Sequence, residues 1–522
     1  MPTTLLVKAI LVISSLYIVR IWLSGKRHSQ PLPPGPAPKP LIGNFHDLPP
    51  HGVKDWEHWL RHKKLYGPIS SVTVLGQTIV VVNDAELAVD LLEKQSAATA
   101  SRPRLVFASE LAGYGLSLPM QTDLQRTRAY RKAMHHVIGS TKSMTDFHPL
   151  LEREVRRFLL RTLRSPKELI QHLQTLTGAI ILEIGYGYTV EPHGPDPFVD
   201  LANKVMAEFS VATQPGTWAP DIIPALKYIP SWFPGVEFQR LAKTFNSRVN
   251  DFSSKPYAFV QKQMARGSYK TSYLSRLLEK DNPQPGSEEE LVARWSAASL
   301  YGGGSDTTLS SLGSFFLAMA MYPEIQQKAQ EEIDCVAGNR LPTFEDRAEL
   351  PYTEAVVKEL LRWLPVAPMA LPHRATDDRS CGGYVVPKDA LILPNVWGFL
   401  HDPEVYHDPM TFKPERFLGS NPEPDPRKFA FGFGRRVCPG KALADANAFL
   451  AVAMSLAVFR IRDAKQNGHK VDGYPDVTAG VISHPVDFEV EISARSAAHV
   501  ALIESVEEDC PWQEGDGKEC DF

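Results

Sequence analysis

From Glu288 to Met321 the chain carries one very long helical pattern, interrupted only by glycines. No other feature restricts the fold as strongly, because strands run four to eight residues and a pattern of this length is helical. Further helical patterns cover Val155–Leu163, Lys167–Ile184, Pro323–Val336 and Tyr352–Leu364. The segment Ser70–Asn83 (SSVTVLGQTIVVVN) is rich in β-branched residues and split by Gly76, which predicts a hairpin. After Pro365 the texture changes to short apolar runs separated by turns, as in GGYVVPKDALILPN. There is no internal repeat. The expectation is a mainly α protein with a small β part, in a single large domain over residues 51–500.

The two ends read differently. Thr4–Leu23 (TLLVKAILVISSLYIVRIWL) is just long enough to span a bilayer, which takes about 20 apolar residues. Lys8 and Arg20 lie near its ends, where they can snorkel to the interface. No basic residue precedes Lys8, and Lys26, Arg27 and His28 follow the run, a charge order that fits an uncleaved anchor better than a signal peptide. Residues 1–24 are therefore expected to be a single-pass anchor with the remainder in the cytosol. Residues 25–50 contain PLPPGPAPKP (Pro31–Pro40), which predicts an extended, semi-rigid spacer. The end, Glu507–Phe522, is acidic without apolar periodicity, and residues 501–522 are expected to be an acidic mobile tail.

Charge and cysteine count exclude some classes. The chain has 522 residues, 56 basic and 60 acidic, for a net charge of -4, without the basic footprint of a nucleic-acid binder. The cysteines are Cys335, Cys381, Cys438, Cys510 and Cys520, an odd number with no CxxC pair. That argues against a disulfide framework or structural zinc and for a reducing compartment.

Of these cysteines Cys438 stands apart. It lies in FGFGRRVCPG (Phe431–Gly440), directly before the helical run KALADANAFLAVAMSLAVF. A lone cysteine is most often a small buried hydrophobe. Here the amides and dipole of the following helix favour a thiolate, and Arg435 and Arg436 bring positive charge close. Gly434 and Gly440 permit turns that a Cβ would block. A thiolate with a hydrogen-bonded sulfur is the ligand that haem iron uses when it cleaves the O–O bond.

The segment resembles the cytochrome P-450 signature FxxGxRxCxG at Phe431, Gly434, Arg436, Cys438 and Gly440. Chance would supply those five residues in roughly one chain in several thousand of this length. Glu359-Leu360-Leu361-Arg362 resembles the family's ExxR element, and Pro414-Glu415-Arg416-Phe417 its PERF element. YGGGSDTT (Tyr301–Thr308) resembles the [AG]Gx[DE]T element at Gly303, Gly304, Asp306 and Thr307. Each mid-helix glycine costs roughly 1 kcal/mol against alanine, so three together are poor design for stability alone.

The resemblance implies the cytochrome P-450 fold, a haem b cofactor and a monooxygenase activity. It implies that Cys438 is the iron's axial ligand, with Phe431 packing near the sulfur. Arg436, Arg131 and Arg374 are expected to bind haem propionates. Gly304 is expected to widen the helix groove for a diatomic ligand, beside the acid–alcohol pair Asp306 and Thr307. Glu359, Arg362 and Arg416 are expected to interlock and hold the cysteine loop. One departure is clear: the family's WRxxR pattern has tryptophan where this chain has Thr127. His373, just before Arg374, is expected in a satisfied polar role rather than as an iron ligand.

The sequence carries no GxGxxG or flavodoxin-like segment, so electrons are expected from NADPH through a separate cytochrome P-450 reductase on the endoplasmic reticulum membrane. Arg435, Lys441, Arg427, Lys428 and Lys132 are candidates for a basic docking face. By resemblance the substrate pocket is lined from Val106 and Phe107, from Phe209, from Leu300, Tyr301 and Gly304, from Ala367–Ala370 and from Val481-Ile482. These are largely apolar and imply a lipophilic small molecule. PALKYIPSWFPG (Pro224–Gly235) resembles a fungal subgroup of secondary-metabolite enzymes. Two rival readings are a haem-thiolate isomerase or dehydratase that uses no reductase, and a non-catalytic haem-binding membrane protein. The intact Asp306-Thr307 pair disfavours both.

Overall fold

The computed structural model describes residues 30–520, except 51, 215, 465–473 and 487, together with Ser15. Apart from that serine, the anchor expected over 1–24 lies outside the described residues. The principal helices are α1 (Leu124–Ile138), α2 (His148–Arg164), α3 (Leu169–Tyr186), α4 (Pro197–Ala212), α5 (Glu237–Arg266), α6 (Glu288–Met321), α7 (Pro351–Trp363) and α8 (Lys441–Val458). The expected mainly helical class with small sheets is what the chain adopts. The long pattern over Glu288–Met321 is one unbroken helix through all of its glycines. Ser287 caps it by accepting from the Glu290 amide, and three glutamates occupy its first turn, where they complement the positive end of the dipole.

Helix α6 runs through the core against α1, α3 and α8. Helix α8 is apolar almost all round and buried over most of its length. Among the described residues it is the one helix long and apolar enough to cross a membrane, and its burial makes it a core helix instead.

The largest sheet holds the strands in the order β1-β2-β6-β3, with β1 (Ile69–Val74), β2 (Gln77–Val82), β3 (His373–Arg374) and β6 (Leu391–Pro394). The hairpin predicted from Gly76 is β1–β2, and that glycine takes φ +87° in the turn. Strand β2 runs parallel to β6, and β3 antiparallel to it. Two smaller ribbons pair β4 (Arg379–Cys381) with β5 (Tyr384–Val386), and β7 (Phe459–Asp463) with β8 (Val490–Ala494).

Both flanking segments make contacts with the domain. The proline-rich stretch accepts from the Val385 amide at Pro31 and is docked on the edge of β1 from Pro33 onward. Ser71 donates its amide to the Pro34 carbonyl at 2.9 Å and its hydroxyl to the Pro33 carbonyl at 2.6 Å. Proline has no amide to donate but offers its carbonyl, so it satisfies an edge strand without extending the ladder. The approach is close: a Cβ on Gly35 would stand 1.9 Å from the Ser71 carbonyl oxygen.

The acidic tail is likewise tied down as far as Cys520. Trp512 lies under Arg157 and Arg161, whose guanidinium carbons sit 5.2 and 4.8 Å from a ring centroid. Asp516 accepts from the Thr189 amide at 2.7 Å and returns its own amide to the Thr189 carbonyl at 2.9 Å. Glu519 accepts from Gln263 and Arg266 on α5, at 2.8 and 2.7 Å. Besides these polar and cationic anchors, Ile503 and Val506 are buried in the core.

Candidate active site

Between α6 and the loop that precedes α8 lies a cavity of about 370 Å³. Gly303 and Thr307 line it from α6, and Phe431, Arg436 and Cys438 from the loop. The accessible surface of Cys438 belongs to this cavity, and protein encloses the sulfur on its other sides.

The loop's geometry explains its glycines. Gly434 has φ +51°, and a Cβ there would stand 2.3 Å from the Leu92 carbonyl oxygen. The Cys438 amide donates to the Phe431 carbonyl at 2.8 Å, closing the loop on itself. Burial raises the Cys438 thiol pKa; the Gly440 amide, Arg131 and Lys441 oppose that rise. These three groups are the local donors and charges that favour a thiolate.

Arg436 is buried and donates to the carbonyls of Ala100 (2.6 Å), Leu118 (3.2 Å) and Gln121 (2.7 Å). Burial and then the Arg131 charge push it down to about 10. Arg102 stands on the same cavity, also buried, and donates to Pro119, Leu371 and Pro372 carbonyls at 3.0, 2.7 and 2.8 Å. Burial and then the Arg436 charge push Arg102 well below the usual arginine range. Two buried cations facing one cavity, with carbonyls as their hydrogen-bond acceptors, are suited to an anionic ligand. The residues present therefore fit haem, with Cys438 for the iron and Arg102 and Arg436 for the propionates.

The other expected propionate arginines are placed differently. Arg131 donates to the Val437 carbonyl at 2.7 Å, beside Cys438, so it braces the cysteine loop. Arg374 is not brought to the cavity: its guanidinium pairs with Asp389 at 2.5 Å on the outer face of β3. Its neighbour His373 is the one that lines the cavity, 3 % exposed, with Nδ1 2.8 Å from the Thr99 carbonyl. Thr127 turns its hydroxyl back to the Asp123 carbonyl at 2.7 Å and replaces nothing that the missing indole would supply.

The expected interlock is present in full. Arg362 donates Nε and Nη2 to the two oxygens of Glu359 at 2.7 and 2.8 Å. Arg416 donates Nε to Glu359 Oε1 at 3.1 Å, and the Lys413 amide reaches the same oxygen at 2.7 Å. Glu359 and Arg362 are both 0 % exposed. Phe417, next to Arg416, belongs to the same buried cluster as Phe399, Phe429 and Phe433. That cluster carries the rigidity of the interlock into the cysteine loop.

Around the glycines of α6 the side chains have distinct roles. A Cβ on Gly303 would meet nothing within 4 Å, so this residue opens onto the cavity. A Cβ on Gly304 would stand 2.6 Å from Ile181 Cδ1, so Gly304, although it also lines the cavity, is needed for close packing of α6 on α3. The Thr307 hydroxyl donates back to the Gly303 carbonyl at 2.6 Å, which leaves its lone pairs facing the cavity. Asp306 is turned away from that wall, with Oδ1 3.3 Å from His484 Nε2. Of the expected substrate contacts, Phe209, Leu300, Ala367, Ala370, Val481 and Ile482 line the cavity. Tyr301, Val106 and Phe107 do not: Tyr301 stacks on Phe252 and donates to the Phe198 carbonyl, and Phe107 stacks on Trp218.

The family model described as cytochrome P450 (here written P-450) matches residues 33–491. The chain belongs to the cytochrome P-450 family. It is 48 % identical to the cytochrome P-450 monooxygenase ppsD of Aspergillus oryzae, over 98 % of this chain and 97 % of that one. It is 44 % identical to the O-methylsterigmatocystin oxidoreductase of Aspergillus flavus, over 96 % and 95 % of the two chains. It is also 44 % identical to the cytochrome P-450 monooxygenase claR of Ampulloclitocybe clavipes, over 95 % and 93 %. The chain is thus a monooxygenase of a family that holds haem, and is similar to these fungal members.

In this P-450 the expected basic face is only partly available. Arg427 pairs with Glu354 at 2.5 Å and Asp445 at 2.8 Å, and Arg347 closes the same network. Lys441 donates to the Arg427 carbonyl at 3.1 Å and covers the Phe431 ring. Those two residues seat the start of α8. Lys132, Lys428 and Arg435 remain exposed. Sequence reasoning missed Arg102, because its motif SRPR reads as an ordinary basic turn. It also missed His484, which sits two residues beyond the pocket pair Val481-Ile482 without a motif of its own.

Proposed function

We propose that this P-450 takes electrons from NADPH through a separate reductase and inserts one oxygen atom of O2 into a neutral, lipophilic molecule of fungal secondary metabolism. The observation that carries this reading is the asymmetry of the cavity. Its charged lining residues, Arg102, Arg436 and Asp445, belong to the propionate side and the seat of α8. The remaining lining is largely apolar, including Phe209, Phe252, Leu300, Val481 and Ile482. A charged substrate would have to be desolvated there without a partner, which costs several kcal/mol.

Haem, when bound, supplies the activation of dioxygen. The chain's own groups do the rest. The Gly440 amide, Arg131 and Lys441 favour the thiolate at Cys438 Sγ. Arg102 and Arg436 neutralise and orient the propionates. The apolar wall excludes water from the reacting carbon. Thr307 Oγ1 would hold a water at the open face of Gly303, and Asp306, turned outward toward His484, would supply protons to it from the solvent side.

The same reading places the protein at the endoplasmic reticulum membrane, with its catalytic domain in the cytosol. Ile223, Tyr228, Trp232 and Phe233 form a run of large exposed apolar side chains, of which Trp232 is 79 % exposed. Such a patch suits an interface that buries it. Exposed Lys132, Lys428 and Arg435 would steer an acidic reductase.

The test incubates membranes bearing the protein with reductase, NADPH, labelled dioxygen and a panel of neutral polyketide and terpenoid metabolites. Product bearing one labelled oxygen, formed only with NADPH and reductase, is the expected result. Cys438→Ala is expected to lose the shifted Soret band of the reduced carbon monoxide complex, while Cys335→Ala and Cys381→Ala keep it. Turnover of hydroperoxides without reductase or NADPH would overturn the proposal in favour of an isomerase.

A further inference from the structure

The proton path has a second member that neither the family motifs nor the cavity lining includes. Asp306 Oδ1 lies 3.3 Å from His484 Nε2, within ion-pair distance. The Asp306 side chain is 17 % exposed and the His484 side chain 30 %, so both members of the pair reach solvent and His484 is the more open of the two.

His484 is held for this position. Its amide donates to the Thr478 hydroxyl at 2.9 Å, and its carbonyl accepts from the Thr478 amide at 2.8 Å. The preceding residue fixes the loop to both walls. The Ser483 amide donates to the Val366 carbonyl at 2.9 Å, and the Ser310 hydroxyl, one helical turn beyond Asp306, donates to the Ser483 carbonyl. A loop tied on either side of the imidazole can return it to the same carboxylate, as a proton relay requires.

We propose that His484 is the solvent-side proton donor to Asp306, so that protons enter the cavity along His484, Asp306 and the water held by Thr307. This rests on the assignment of Asp306 and Thr307 made above. The step balances: the imidazolium gives its Nε2 proton to Asp306 Oδ1, the carboxyl passes a proton to the water at Thr307, and solvent reprotonates the imidazole. Histidine suits the outer position because either ring nitrogen can carry a proton, one facing the carboxylate and the other facing solvent. His484 is then a positioning and relay residue, not one that touches substrate.

The test compares His484→Gln, which keeps a polar side chain but cannot carry a proton, with Thr307→Ala, Asp306→Asn and the double variant Asp306→Asn/His484→Gln. Three readouts decide it. First, product formed per NADPH consumed is expected to fall about threefold to tenfold in His484→Gln, less than the 10²–10⁴ of an irreplaceable acid because solvent substitutes in part. Second, the double variant is expected to fall no further than Asp306→Asn alone, since two members of one path are not additive. Third, diethyl pyrocarbonate is expected to carbethoxylate His484 in the folded holoenzyme with substrate filling the cavity, as read on the His484 peptide by mass spectrometry. Unchanged coupling in His484→Gln, while Thr307→Ala uncouples, overturns the role of His484 and leaves that of Thr307 standing. Unchanged coupling in Thr307→Ala overturns the underlying assignment instead. An additive double variant, or a His484 peptide that stays unmodified, also overturns the relay.

Discussion

Arg102 and Arg436 present two buried guanidiniums to one wall of the cavity, and among the described residues neither forms an ion pair with a carboxylate. Their acceptors are six backbone carbonyls, contributed by Ala100, Leu118, Gln121, Pro119, Leu371 and Pro372. Carbonyl dipoles hold a guanidinium in place but do not cancel its charge. Haem binding supplies the missing negative charge, so the protein is expected to gain stability on loading beyond what apolar burial of the porphyrin gives.

Arg102→Met and Arg436→Met are therefore each expected to weaken haem retention. A hydrogen bond to a charged group contributes roughly 1.5–3 kcal/mol, which is about tenfold to a hundredfold in affinity. The measurement is haem transfer to apomyoglobin. Arg374→Met serves as the control, because Arg374 pairs with Asp389 at the surface and is expected to leave haem retention unchanged.

Glu359 accepts from Arg362, Arg416 and the Lys413 amide, all within a fully buried cluster. Glu359→Ala leaves the buried Arg362 without a carboxylate and Arg416 with Glu423 alone, at 2.7 Å. Breaking such a buried pair typically costs about 3–5 kcal/mol. Expression of Glu359→Ala is expected to give little haem-loaded protein, measured as the ratio of Soret to aromatic absorbance. Normal loading in this variant would show that the cysteine loop is held by other contacts.

Trp512 offers a test of the docked tail. Cation–π contacts contribute about 0.5–2 kcal/mol each, and two guanidiniums lie on this indole. Trp512→Ala is expected to lower the melting temperature by a few degrees with the haem spectrum intact. Limited proteolysis is expected to leave residues 504–520 uncut in the parent protein and to nick them in the variant. A tail cleaved equally fast in both would mean that it is mobile after all.

How far the sequence could be read depended on how local each interaction is. Cys438, its glycines and Arg436 were legible because one loop of ten residues contains the whole arrangement. Glu359, Arg362 and Arg416 were legible through two short motifs. Arg374 was misplaced because a strand turns neighbouring residues to opposite faces, so a one-residue difference in register decides which side chain meets the cavity. In β3 the pairing sets His373 opposite the buried Ile392, and Arg374 falls on the outer face. Arg102 and His484 were missed because each acts from a loop, and nothing near them in sequence records the partner. The glycines at 303 and 304 looked alike in sequence. Only the packing of Ile181 shows that one opens a space and the other fills one.

Thr307 is where site and chemistry meet most directly. Its hydroxyl proton is committed to the Gly303 carbonyl at 2.6 Å, so toward the cavity the oxygen acts as an acceptor. An acceptor there would hold a water at the open face of Gly303. Losing that oxygen does not close the space or block electron entry. It removes the order of the water through which the second proton arrives. On the proposed reading, oxygen reduced without that ordered proton supply would leave as hydrogen peroxide instead of entering product. Thr307→Ala is therefore expected to keep consuming NADPH while product per NADPH falls severalfold and peroxide rises by the matching amount. The loss stays below the 10²–10⁴ of a positioned acid, because bulk water enters the enlarged groove. Thr307→Ser keeps an oxygen that can make the same i−4 bond, and is expected to retain most of the coupling. Thr308 is the comparison: it lies about 100° further round the helix, although it also lines the cavity, and Thr308→Val is expected to raise the peroxide yield less than Thr307→Ala. A peroxide yield that rises in Thr308→Val and not in Thr307→Ala would move the proton path to the neighbouring hydroxyl.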